Sequence, residues 1–174
     1  MKIAKPAATL FAVTALLAGS TAVASAATPA SDFRAEALSD GLTSAQADSL
    51  QKRVDAVLDG QPGGRQVSAT KVEYDGLTVT VDPRSKSSTG KTTKANLACG
   101  YGHLCITVRG ANFDFYKCQK WNVSNWYGDG TFENNQTPGT VARFYNQDGS
   151  ERWHSVAYQK GTATWDPIYS LRPC

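Results

Sequence analysis

The residues able to do chemistry are few and far apart. The chain holds two histidines, His103 and His154, and no His-Glu-x-x-His, nucleophile elbow or glycine-rich dinucleotide loop. His154 and Ser155 are neighbours in sequence, but adjacent residues on a strand point to opposite faces, so they are not placed as base and nucleophile. His103 falls between two cysteines, with no carboxylate partner predicted for it. Asp148 and Glu151 flank a turn, where acidic residues serve turn chemistry, and no feature sets two carboxylates across a cleft as glycoside hydrolysis needs. Gly90-Lys91-Thr92 lacks the glycine that a phosphate loop carries five residues earlier; Ser85 stands there. The expectation is a protein without catalytic residues and with no required cofactor.

The stretch from Cys118 to Gly139, CQKWNVSNWYGDGTFENNQTPG, is richer. Large aromatics among asparagines and glycines suit a calcium loop, a sugar-stacking platform or a tight corner in a β fold. Trp121, Trp126, Tyr127, Trp153 and Trp165 are the candidate binding rings. Exposed, they would stack on carbohydrate; buried, they would supply the bulk that a small core needs.

Lys2 and Lys5 precede an apolar run over residues 10–17 and a small-residue exit at Ala24-Ser25-Ala26, the pattern of a signal peptide over residues 1–26. The run is too short to anchor in a bilayer. A secreted, extracellular monomer is expected, with no membrane insertion. Without Lys2 and Lys5 the 18 basic residues fall to 16 against 15 acidic ones. Such a balance gives no field that would hold a nucleic-acid backbone.

In an exported chain the four cysteines, Cys99, Cys105, Cys118 and Cys174, read as disulfides. Three pairings are open to them; Cys99 with Cys105 and Cys118 with Cys174 is the favoured one. A zinc site is disfavoured because no two are spaced as a ligand pair.

These residues need elements to position them. Thr43-Ser44-Ala45-Gln46 has the form of a capping box, and Ala47, Leu50, Val54, Val57 and Leu58 recur at helical spacing until Gly60 and Pro62-Gly63-Gly64 stop the helix. In KVEYDGLTVTV, Asp75-Gly76 is expected to supply two positive-φ turn positions, with Val72 and Tyr74 facing Val79 and Leu77. Residues 27–82 therefore read as a helix-and-hairpin segment, separable from the C-terminal half of the chain. Residues 83–96, rich in Ser, Thr and Lys, read as a flexible linker. From residue 97 to 174, short aromatic-rich runs at 103–109, 113–117, 140–146, 151–157 and 168–172 predict a small antiparallel sandwich.

CGYGHLCITVRGANF followed by WNVSNWYGDGTFENNQTPGTVARFYNQDG resembles the secreted actinobacterial peptidase-inhibitor homologues of β/γ-crystallin type, the group of the streptomycete metalloproteinase inhibitor and the killer-toxin-like proteins. The resemblance covers residues 97–174 and implies a mainly β, Greek-key sandwich, with the opening stretch as its corner. Calcium is the small partner it implies, and the chain keeps Asp129, Thr131, Asn134 and Asn135 as ligands, although Gly130-Thr131 stand where relatives commonly carry two serines. The partner it implies is an extracellular peptidase, with antimicrobial action or binding of cell-wall carbohydrate as the alternative. No cysteine lies between Cys118 and Cys174 to close a reactive loop like the characterised inhibitor's, so no reactive residue is carried over. Residues 125–130 and 159–166, glycine-containing connections flanked by aromatics, are the candidate docking segments.

Overall fold

The computed structural model describes residues 30–85, 98–166 and 168–174. The expected signal peptide and most of the expected linker, residues 86–96, lie outside the described residues. Among the described residues two helices and eleven strands make a mainly β fold of two antiparallel sheets. The helices are α1 (Ala30–Ser39) and α2 (Ser44–Gly60). The strands are β1 (Arg65–Gln66), β2 (Lys71–Tyr74), β3 (Leu77–Val81), β4 (His103–Val108), β5 (Ala111–Phe115), β6 (Trp121–Asn122), β7 (Asp129–Asn135), β8 (Val141–Tyr145), β9 (Glu151–Val156), β10 (Gln159–Thr164) and β11 (Ser170–Arg172).

The seven-stranded sheet runs β1-β2-β3-β5-β4-β7-β10 and the four-stranded sheet β6-β11-β8-β9. Strands β4 to β11 form two successive sets of four. In each set the first strand lies between the second and the fourth, and the third strand crosses to the edge of the opposite sheet.

Local chemistry sets the helix and the hairpin. Thr43 caps α2 through a reciprocal capping box with Gln46, satisfying two amides that the first helical turn leaves free. Tyr74 faces Leu77 and Val72 faces Val79. Only Gly76, at φ 101°, takes the left-handed region in that turn; Asp75 does not, contrary to the expectation of two such positions.

The hairpin is not a free-standing unit. β3 pairs with β5 over five residues, from Leu77 opposite Phe115 to Val81 opposite Ala111, so the sheet runs unbroken across the expected boundary at 83–96. A lone hairpin is marginal in water, and β5 is where it gains a third strand. The register continues as Val72, Val79, Phe113, Ile106 and Phe132 in one row, all buried. Both α2 and the smaller sheet cover this face. Tyr74 touches both: its hydroxyl reaches the Val57 carbonyl at 3.5 Å, and its ring meets Trp121 edge-on at 6.4 Å. A single core joins Leu50 and Val54 of α2, Leu77 of β3, Phe115 of β5, and Phe144 and Leu171 of the smaller sheet. Each such side chain contributes roughly 1.5–3 kcal/mol by leaving water.

Two segments expected to be loops are strands. Residues 129–135 form β7, paired with β4 on one side and β10 on the other, and most of 159–166 is β10, whose outer edge is unpaired. No helix among the described residues is long and apolar enough to cross a membrane.

Candidate functional site

The most distinctive place in the molecule lies where α2, the β4–β5 turn and the connection from β6 to β7 converge. Among the described residues only two non-glycine residues hold positive φ, Arg109 at 51° and Asn125 at 60°, and they touch. Arg109 Nη1 donates to the Asn125 carbonyl at 3.3 Å. In a two-residue hairpin turn with both φ positive, asparagine or glycine is the ordinary first residue, so the turn itself gives no reason for an exposed arginine at 109.

The loop beyond it is rigidly held. Trp126 is 8% exposed and packs edge-on against Phe113 at 4.8 Å and Trp165 at 5.4 Å. The Gly128 amide donates to Asp166 Oδ2 at 2.5 Å, and the Gly128 carbonyl accepts from the Trp165 amide at 2.9 Å. Ser124 Oγ donates to the Gly60 carbonyl at 2.8 Å, tying the loop to the end of α2. What remains outside is Ser124, Asn125 and Tyr127, the last 49% exposed with the Arg109 guanidinium 4.0 Å above its ring. Such a pair is worth about 0.5–1 kcal/mol while exposed and more once a partner desolvates it, and Arg and Tyr are enriched among the residues that dominate protein interfaces.

Behind this rim a cavity of about 370 Å³ separates α2 from the sandwich. Its floor is Val81, Val108, Ala111 and Phe113.

The other rings predicted to bind are structural. Trp121 and Trp165 are buried, and Trp153 is partly buried with its ring stacked on Phe144 at 3.9 Å. Trp165 Nε1 donates to the Thr107 carbonyl at 2.9 Å, fixing the indole between the sheets. Of the five rings, Tyr127 alone offers an exposed face.

Asp129, Thr131, Asn134 and Asn135 do not converge. All four lie on β7, where alternation sends Asn134 into the interior, fully buried, and leaves Asp129 and Thr131 outside. Asp129 accepts from Thr164 Oγ1, Thr131 pairs with Thr107, and Asn135 Nδ2 donates to the Cys99 carbonyl. Asn134 Nδ2 donates to the Ser155 and Thr140 carbonyls while its Oδ1 accepts from Gln136. Among the described residues no group of three or more His, Cys, Asp or Glu is placed to hold a metal ion.

Disulfides join Cys99 to Cys105 and Cys118 to Cys174. His103 does have a carboxylate partner: Asp114 Oδ1 lies 2.6 Å from its Nδ1, brought there by the β4–β5 pairing, which sequence spacing could not reveal. His154 faces Glu151 at 2.7 Å. Hydrogen bonds from His154 and Arg143 hold the Glu151 carboxyl below its usual range.

Neither the turn strain nor the cavity is legible in the sequence; Arg109-Gly110 between two apolar runs is the available signal for the turn. Compared with protein-family models, with curated proteins and with solved structures, the chain matches none.

Proposed function

We propose that this is a secreted, non-enzymatic peptidase inhibitor that docks reversibly through Arg109 and residues 124–128. The carrying observation is the rigid loop: its backbone is fixed before any partner arrives, so docking sacrifices little chain entropy. The second expected segment, residues 159–166, no longer qualifies as a loop, because most of it is the edge strand β10. A β/γ-crystallin-like pair of Greek keys is supported by the two sets of four strands that exchange their third members between sheets. Secretion is supported by two disulfides, which persist in oxidising compartments.

Titration of the protein against a metallopeptidase and a serine peptidase tests the reading. Saturable, reversible inhibition of one class is expected, weakened about tenfold or more by Tyr127→Ala. Arg109→Asn should weaken inhibition similarly while changing stability by no more than about 1 kcal/mol, because asparagine suits positive φ and so offsets the lost bond to the Asn125 carbonyl. Inhibition of neither class, or inhibition indifferent to both substitutions, overturns the proposal.

A further inference from the structure

The cavity behind the docking rim carries a separate chemistry. Its floor and one wall are apolar, Val81, Val108, Phe113 and Trp126 all being buried. Lys52, Arg53 and Arg109 line it as well, and no Asp or Glu does. Lys52 and Arg109 are exposed, so two of the three cations stand at the mouth.

These cations are not engaged in ion pairs. Among the described residues none of the three has a carboxylate within ion-pair distance. The remaining residues, 1–29, 86–97 and 167, contain no Asp or Glu at all, so they cannot supply one. Arg53 is committed on one side only. Its Nη1 and Nη2 donate to the Asp82 and Pro83 carbonyls at 2.7 and 3.4 Å, while its Nε is buried with no hydrogen-bond partner. Burial lowers the Arg53 pKa, and the nearby Asp82 carboxylate opposes that shift. Asp82 does not line the cavity, and its Oδ1 accepts from the Arg84 amide.

A cavity of about 370 Å³ falls within the range of roughly 300–1,000 Å³ that small-molecule sites occupy. Apolar walls with a few polar groups at one side favour a ligand of matching polarity. We propose that the cavity between α2 and the sandwich binds a small amphipathic anion, an aromatic or aliphatic body carrying a carboxylate, sulfonate or phosphate. The body lies on Val108, Phe113 and Trp126, and the anionic head meets Lys52 and Arg109. This site shares Arg109 and residues 124–126 with the proposed docking rim, but it needs no partner protein.

The probe is 8-anilinonaphthalene-1-sulfonate titrated into the full chain, with its uncharged relative N-phenyl-1-naphthylamine as comparison. Saturable one-site fluorescence enhancement is expected, with tryptophan emission quenched by transfer from Trp126. The uncharged relative should bind about tenfold more weakly, and Lys52→Glu should weaken the sulfonate about fivefold or more. Ala56→Phe, on an exposed position of α2 that lines the cavity, should abolish binding with the far-ultraviolet circular dichroism unchanged. Equal affinity for the two probes, or binding indifferent to Lys52→Glu or Ala56→Phe, overturns the proposal. So does the absence of saturable binding.

Discussion

At the scale of single residues, the segment that reads as a metal loop is a structural staple. Asn134 holds two carbonyls of the smaller sheet's margin from β7 of the larger sheet, and Gln136 extends the link to the Pro173 carbonyl at 2.6 Å. Asn134→Ala removes three side-chain hydrogen bonds at a fully buried position, at a cost of about 2–4 kcal/mol, whereas Asn135→Ala, half-buried, should cost about 1 kcal/mol or less. Urea unfolding of the two variants checks the difference. Gly130 has a comparable reason: a Cβ there would meet the Thr107 carbonyl and the Trp165 indole nitrogen, so a serine does not fit. Sequence showed the departure from Ser but not its cause, because the obstructing atoms come from residues 23 and 35 positions away. Tyr74 offers a pH signature. Burial pushes its hydroxyl from 10.0 to about 12, so between those values the unfolded chain has released a proton that the folded chain keeps. Stability therefore falls as pH rises from about 10 to 12. In a phenolate absorbance titration Tyr74 should be the last tyrosine to ionise, a component that Tyr74→Phe removes.

At the scale of elements, what was legible carried its own chemistry. The capping box and the facing apolar pairs of the hairpin are local signals, and both formed as read. β7, DGTFENN, reads as a turn because glycine, aspartate and asparagine disfavour strands; two flanking strands override that preference by pairing with it on both sides. β10, QKGTAT, has no alternating apolar face because it is an exposed edge, and α1 hides because it buries little beyond Phe33 and Ala37. The pairing of β3 with β5 was invisible for another reason: nothing in either strand names its partner. It has a direct test. Cleavage at Lys86, Lys91 or Lys94 should leave two fragments that elute together in native buffer and part only in denaturant, since no disulfide joins them. Separate elution in native buffer would mean that the β3–β5 ladder does not hold the halves together.

For the whole molecule, the two disulfides restrain loops of very different size. Cys118–Cys174 spans 56 residues and Cys99–Cys105 spans 6, so by chain entropy the first should stabilise by about 4 kcal/mol and the second by about 2. Paired serine variants compared in urea would show this order; equal losses, or the reverse order, would contradict it. Because hairpin, helix and sandwich share one core, loss of the larger bridge should lower the melting of α2 together with that of the strands. The position of β11 has a consequence of another kind. It is the last strand in sequence, yet it lies inside the smaller sheet, between β6 and β8. A chain emerging amino end first from a ribosome or a translocation pore thus has β8 and β9 in hand long before the strand that joins them to β6. Until residues 170–172 are released, β6 has no strand to pair with and β8 keeps one open edge, and unpaired edges of this kind make an emerging chain prone to aggregate.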